Sequence, residues 1–375
     1  MGSKHVELTK PERGAFGRVE IAIHGTSCAD IEQLAQRIAA RLPDKKIAYV
    51  DGIHRSADVH DKSKSPFFSL LHLGEESYTY RRQKSLFEVE WRRSLDEADL
   101  VLVNGNHFAA QAQIIVADAR KWESLRKRKE QLTRVLCVLQ KDDDYPMDEL
   151  FSDLLQGRSD IPIYPYGDVD TWIHCVEQFL HLHTPMINGL VLVGGKSRRM
   201  GFDKSTIQKS GLPIREYLYT QLYAHVEEVY FSIRPDQVSA FDGKEVLVDR
   251  FVGLGPMGGI LTAFMHNPNR AWLVVATDLL GLDREALEYL IAHRNPSAVA
   301  TAFVNPATQM PDPLCTIWEP RAYGYLLEFL RQGHSCPRKV LLNTDVQLVQ
   351  PQSEGWLFNA NTPGDLQLFY SHSFD

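Results

Sequence analysis

Along the chain, short runs of consecutive apolar residues alternate with longer stretches in which apolar positions recur every three or four residues. The first run, 19–24, is followed by an amphipathic stretch over 28–42 and a second run over 46–51, which predicts strand, helix, strand. The pattern continues with a helix around 81–96, a strand over 100–104, a long helix from 109 to about 130 and a strand over 134–139. A short strand at 161–164 and a helix over 169–183 close this half. Between 52 and 80 the periodicity gives way to Ser, Asp, Lys and His, which predicts a long polar loop. Pro185 stops the preceding helix, because proline disfavours helical geometry in the residue before it. The alternation restarts with a strand over 188–193, a Gly/Arg-rich loop, a helix over 213–225 and strands over 229–233 and 245–248. A helix over 257–266, a strand over 272–276 and a helix over 284–293 capped by Asp283 come next. Strands over 298–304 and 314–317, a helix over 320–331 and a last helix starting at Pro363 complete the pattern. The loops 305–313 and 331–338 are expected to be long enough to close over a site.

Strands separated by helices of this length pair in parallel. The predicted fold class is therefore α/β, with two Rossmann-like three-layer domains, each a mostly parallel sheet flanked by helices. A length of 375 residues accommodates more than one domain at about 150 residues each. The expected division is an N-terminal tail over 1–18, a first domain over 19–184 and a second over 187–375. Hydrophobic residues at 44% and charged residues at 24% exclude wholesale disorder and fibrous repeats. The net charge of −7 argues against nucleic acid as a partner and leaves room for a local phosphate pocket. No apolar run is long enough to span a membrane and residues 1–18 are polar, so a soluble, cytoplasmic protein is expected. The five cysteines lie far apart without a CxxC pair, which points to neither a disulfide framework nor a zinc knuckle.

The most informative stretch follows the apolar strand ending at Leu192 and Val193. It reads Gly194, Gly195, Lys196, Ser197, Arg198, Arg199, Met200, Gly201, Phe202, Asp203, Lys204. Paired glycines after a strand let backbone N–H groups approach an anion, and Lys196, Arg198, Arg199 and Lys204 supply charge to neutralise a triphosphate. The loop is neither GxxxxGK[ST] nor GxGxxG. Its plain alternative is a tight turn with basic residues facing solvent.

The GGxSxRMGxDK pattern resembles the signature loop of the nucleotidyltransferases that act on molybdopterin. Three further motifs carry the resemblance in the same order: Asp249 ahead of Gly255, Pro256 and a helix, Asp278 after the strand over 272–276, and Asn359 and Asn361 ahead of Thr362 and Pro363. The resemblance covers the chain from about 187 to its end, and the Gly194–Gly195 pair is similar to the guanylyltransferases of that family. It implies transfer of GMP from GTP to the terminal phosphate of molybdopterin, or Mo-molybdopterin, with release of pyrophosphate. Arg199 and Lys204 are implied as the phosphate clamp and Asp278 as the Mg²⁺ ligand, these three being the catalytic set. Leu192, Gly194, Gly195, Lys196, Ser197, Arg198, Lys204, Asp249, Gly255, Pro256, Asn359 and Asn361 are implied to bind GTP, the metal or the pterin. Apo-molybdoenzymes or their chaperones are the candidate recipients. A cytidylyltransferase, or a nucleotidyltransferase with another acceptor, is the alternative within the class. A noncatalytic nucleotide-binding adapter is the alternative outside it.

The first half resembles the P-loop GTP-binding adapter that accompanies the guanylyltransferase. Where a P-loop places Gly, Gly, Lys and Ser/Thr, this chain has Ala22, Ser27, Cys28 and Ala29, and Asn104 to His107 stand where an acidic motif would be. Without the lysine and the hydroxyl, NTP hydrolysis is not expected there, and a scaffold or docking role is. Cys28 at a helix start is read as inert, with a reactive thiol as the alternative. His54, Asp58, His60 and Asp61 are read as a solvated loop, with a metal cluster as the alternative. The basic run 126–129 is read as a solvated helix face.

Overall fold

The computed structural model describes residues 8–52, 69–73, 78–82, 88–158, 160–193, 203–360 and 362–371. The chain divides into two compact units, Arg13–His183 and Thr184–Asp375, the latter together with Met1–Glu12. Within the stretch expected as a tail, residues 15–17 are fixed by their N–H groups donating to the buried Glu20 carboxylate. The Glu12 N–H donates to Asn269 Oδ1 at 2.6 Å.

The first unit contains strands β1 (Glu20–His24), β2 (Ile47–Val50), β3 (Ser69–Leu73), β4 (Tyr78–Arg82), β5 (Leu100–Asn104), β6 (Ala112–Ala117), β7 (Val135–Gln140) and β8 (Ile163–Pro165). Six of them form a wholly parallel sheet in the order β2-β5-β1-β6-β7-β8. The helix Cys28–Arg41 starts where Ser27 Oγ accepts the Asp30 N–H, and it buries Ile31, Leu34, Ala35 and Ile38, a stripe at helical spacing. That stripe packs with Trp172, Val176 and Phe179 of the helix Val169–Leu182 over Ile21 and Ile23.

Two expectations fail here. The long helix expected from 109 to about 130 is instead β6, followed by short helical turns including Trp122–Arg126. All six residues of β6 are buried, and a strand buried on both faces shows no alternation to separate it from a buried helix. The polar loop expected over 52–80 contains β3 and most of β4, paired antiparallel from Ser69↔Arg82 to Leu73↔Tyr78.

The second unit contains β9 (Ile187–Leu192), β10 (Gln208–Lys209), β11 (Leu212–Pro213), β12 (Val229–Ile233), β13 (Val246–Val248), β14 (Ala271–Ala276), β15 (Ala300–Asn305), β16 (Met310–Trp318) and β17 (Val346–Val349). Its seven-stranded sheet runs β13-β12-β9-β14-β16-β15-β17, parallel except that β16 is antiparallel to both neighbours. Alternate residues of β9 and its extension divide between two layers. Val191 and Val193 pack with the helices Ile214–Tyr223 and Arg284–Ala292, whereas Leu190 and Leu192 pack with the helices Pro256–His266 and Ala322–Arg331. This unit is a three-layer α/β structure.

Of the segment 305–313, expected as a cover, only 306–309 lie outside strands, as a tight turn between β15 and β16. Asn305 Oδ1 accepts the Ala307 and Thr308 N–H groups there, and Gln309 adopts φ +54°. Within 331–338 the described chain enters a short helix, Pro337–Leu341. Among the described residues, no helix is long and apolar enough to cross a membrane.

Candidate functional site

The carboxyl ends of β9, β12, β13 and β14 open onto one cleft, the position where open α/β sheets place their ligands. The cleft brings together Leu192 and Lys204, which flank the glycine loop, Asp249, Gly255 and Pro256 of the second motif, and Asp278 of the third. Gly194, Gly195, Lys196, Ser197, Arg198, Arg199 and Asn361 lie outside the described residues.

Each side chain is placed by the end of an element. Asp278 follows β14, and the Thr277 N–H and Oγ1 both donate to the Leu192 carbonyl at 3.3 Å, tying this turn to the end of β9. Gly255 takes φ +58°, which a side chain would disfavour, and it turns the chain into the helix Pro256–His266. No side chain caps that helix start, whose partial positive charge favours an anion. Asp249 accepts a 2.8 Å hydrogen bond from the buried Ser232 Oγ, and burial pushes its carboxyl above the ordinary value against the effect of Ser232 and Arg234.

Asp278 and Asn359 meet across a short bridge between Leu279 and Asn359. The Asn359 Nδ2 donates to Asp278 Oδ2 at 3.1 Å, and the Ala360 N–H donates to the Asp278 carbonyl at 3.0 Å. Lys204 Nζ donates to the Ala360 carbonyl at 2.8 Å, so the cation reaches the segment that carries Asn359. Asp278 Oδ1 and Asn359 Oδ1 are both buried with no hydrogen-bond partner among the described residues. A buried oxygen left without a partner costs free energy unless a ligand supplies one. Burial is also the main cause that pushes the Asp278 carboxyl up, opposed by the Asn359 hydrogen bond and the Lys204 charge. Two such oxygens suit a hard divalent cation, which takes oxygen ligands. Among the described residues no group of three His, Cys, Asp or Glu converges on a metal position, so most of the coordination sphere would have to come from water and substrate.

Sequence reasoning missed Lys209. This residue is buried, and its Nζ donates to the carbonyls of Leu280 at 2.7 Å and Leu282 at 2.8 Å, bracing the turn immediately after Asp278. Its ammonium lies over the Tyr217 ring, and burial pushes its pKa down to about 8. The alternating pattern Gln208, Lys209 in a two-residue strand gives no sign of which side chain turns inward. Ser232, which by the family resemblance stands where an Asn near the base would be, is the partner of Asp249 through the β12–β13 pairing.

In the first unit, the loop after β1 holds a saturated charge network. Asp118 accepts from Thr26 Oγ1 at 2.8 Å, from Arg120 at 2.7 and 2.9 Å, and from Lys141 at 3.2 Å. Asp30 accepts from Ser27, Thr26 and Lys141. The candidate metal residues His54, Asp58, His60 and Asp61 lie outside the described residues.

A mostly parallel sheet whose carboxyl edge gathers a lysine, an unsatisfied carboxylate and an uncapped helix start has the form of a nucleotidyltransferase site. Comparison with known proteins makes the assignment specific. Residues 189–348 match the MobA-like NTP transferase domain. The chain is 30% identical over 141 residues to a probable molybdenum cofactor guanylyltransferase of Methanothermobacter thermautotrophicus, covering 36% of this chain and 72% of that one. It is 39% identical over 184 residues to the molybdenum cofactor biosynthesis bifunctional protein of Synechocystis sp., covering 48% of this chain and 53% of that protein, so the match spans about half of that relative's length. Among solved structures, molybdopterin-guanine dinucleotide biosynthesis protein A of Archaeoglobus fulgidus is 24% identical, with 48% of this chain and 95% of that one covered and a TM-score of 0.42. The chain belongs to the MobA-like NTP transferase family through its C-terminal half.

Proposed function

We propose that the second unit transfers GMP from GTP to the terminal phosphate of molybdopterin, releasing pyrophosphate. The observation that carries this reading is Asp278 in the carboxyl-edge cleft with Lys204, its Oδ1 and the Oδ1 of its hydrogen-bonded neighbour Asn359 both unsatisfied among the described residues. The guanylyltransferase name of the Methanothermobacter relative supports the base and the acceptor. In this reaction an oxygen of the pterin phosphate attacks the α-phosphorus of GTP, a new phosphorus–oxygen bond forms, and the bond to pyrophosphate breaks.

The chain's residues divide the work. Asp278 and Asn359 would hold Mg²⁺, which supplies charge neutralisation to the triphosphate and the leaving pyrophosphate. Lys204, with Arg199 from the glycine loop, clamps the phosphates, and the Gly194–Arg198 backbone cradles them. The helix starting at Pro256 directs its positive end toward the same anion. Asp249, held by Ser232, contacts the nucleoside. Because the phosphates carry charge that builds on the leaving group, cations fixed in advance lower the barrier more than they tighten ground-state binding.

The first unit acts as an adapter-like module that is noncatalytic toward nucleotides. Its Asp30 and Asp118 carboxylates already take up Lys141 and Arg120 at the loop where a P-loop would receive phosphate. Those two cations are thereby taken up by carboxylates of the chain itself.

Transfer of label from α-phosphate-labelled GTP to molybdopterin, with CTP in parallel and Mg²⁺ present, tests the reading. Labelled dinucleotide is expected from GTP, and Lys204→Ala is expected to lower the rate by about two orders of magnitude, the cost of one lost transition-state donor. Product from CTP alone would overturn the base assignment, and no product from either would overturn the transfer itself.

A further inference from the structure

The carboxyl edge of the first unit's sheet gathers residues that the transfer reaction does not use. Cys28 is the first residue of a fourteen-residue helix after β1, Asp51 follows β2, and Asn104, Asn106 and His107 lie at and beyond the end of β5. These three strands are neighbours in the sheet, so residues up to 79 positions apart converge. Cys28 Sγ lies 3.5 Å from His107 Nε2 and 3.7 Å from Asn106 Nδ2. Asp51 Oδ1 lies 3.6 Å from the same imidazole nitrogen.

The surroundings are built rather than incidental. Asp51 is fixed by Tyr49 Oη at 3.0 Å, by its neighbour Gly52 N–H at 2.6 Å and by Asn104 Nδ2 at 2.9 Å. Asn106 also donates to the Thr26 carbonyl, and Arg128 holds the Asn106 carbonyl at 2.7 Å. A Cβ on residue 52 would stand 2.9 Å from His107 Cγ, so only glycine lets the ring lie there. Behind this loop, His24 packs face-on against Gly105, fully buried with neither ring nitrogen partnered among the described residues. Cys28 and His107 themselves remain open to solvent.

We propose that Cys28 is a nucleophilic thiolate, with His107 as its proton acceptor, that exchanges with small disulfides. A helix N-terminus favours a thiolate, and His107 Nε2, 3.5 Å from Cys28 Sγ, is placed to take the thiol proton. Partial burial pushes the thiol up, but hydrogen bonds from Asn104, Asn106 and His107 outweigh it and hold the thiol below its ordinary value. The shared nitrogen decides the chemistry. Cys28 and Asp51 both face Nε2, so Asp51 does not hold the ring by its opposite nitrogen as in an acyl-transfer triad, and a leaving amine or alcohol would need the Nε2 proton returned to it. A disulfide needs no such proton, since its leaving group departs as a thiolate. The thiolate attacks one sulfur of RSSR, the S–S bond breaks, a Cys28–S–SR mixed disulfide forms and RS⁻ leaves, with the thiol proton on His107.

The test uses the full chain with two probes, iodoacetamide and 5,5′-dithiobis(2-nitrobenzoate), and site assignment by peptide mass. The exposed Cys336 is the internal reference. At pH 7, Cys28 is expected to react with both probes about tenfold faster than Cys336, as a thiolate in place of a thiol requires. His107→Gln is expected to remove most of that advantage and to move the midpoint of the rate against pH toward an ordinary thiol value. Cys28→Ser must abolish the fast phase. Equal rates at Cys28 and Cys336, or a rate indifferent to His107→Gln, would overturn the activated thiolate. Fast alkylation without a mixed disulfide would overturn the exchange reaction. Neither readout depends on GTP transfer.

Discussion

Two aspartates show how neighbours decide what one side chain does. Asp278 follows β14 and Asp118 follows β6, each just past the carboxyl end of a parallel strand. Asp278 keeps a buried oxygen unsatisfied among the described residues and is pushed up by burial, which suits a residue awaiting a cation. Asp118 is saturated by Arg120, Thr26 and Lys141, and the Arg120 hydrogen bonds above all hold its carboxyl well below the ordinary 3.8. That makes Asp118 a stability element. Asp118→Asn is expected to cost about 1.5–3 kcal/mol at pH 7, the net worth of hydrogen bonds to a charged group. A carboxyl with a depressed folded pKa stabilises fully above its unfolded value and loses that contribution as pH falls through the folded one. The gap between wild type and Asp118→Asn should therefore hold down to about pH 4 and close in stronger acid. Urea unfolding at pH 7 and pH 3 measures it, and an unchanged gap at pH 3 would show that the charge is not the cause.

Elements position these residues, and the short β10–β11 hairpin does so in a way that its length conceals. Lys209 at its edge supports the Leu280 and Leu282 carbonyls, and through them the turn that presents Asp278. Lys209→Met keeps the apolar stem and removes both donors. It is expected to lower kcat for transfer by about tenfold, or about 1.4 kcal/mol, while KM for GTP stays within about twofold. A rise in KM alone, or a fall in melting temperature with kcat intact, would make Lys209 merely structural. The strongly periodic elements were legible in sequence: the helices Cys28–Arg41 and Val169–Leu182 and the strand β12 fall where apolar spacing puts them. β6 was not, because burial on both faces removes the alternation that distinguishes a strand. β17 and the helix Pro337–Leu341 were missed as short elements near a sheet edge. Lys204, Asp278 and Asn359 were legible because their motifs recur in a known order. Lys209 and the link of Cys28 to His107 were not, since each acts through a partner that only the fold brings close.

At the scale of the molecule, each unit closes its own core. Trp172 and Phe179 pack with Ile21 and Leu34 in the first, while Trp272 and Trp318 pack with Phe264 and Ile260 in the second, and no hydrophobic cluster among the described residues draws on both. Cooperative unfolding follows the core, so calorimetry of the full chain is expected to show two transitions. Ligand binding then assigns them, because a ligand stabilises only the unit whose native state it binds. GTP with Mg²⁺ at about a hundred times its Kd adds about 2.7 kcal/mol to that unit. For a unit of this size the corresponding shift is roughly 5–10 °C. The other transition should stay in place, since at the loop after β1 Arg120 and Lys141 are already paired with Asp118. Lys204→Ala should shrink the shift without lowering the ligand-free midpoint by more than a few degrees. A shift in both transitions would place a nucleotide site in the first unit as well and overturn its noncatalytic reading. A shift confined to one transition but untouched by Lys204→Ala would instead separate GTP binding from the clamp proposed for transfer.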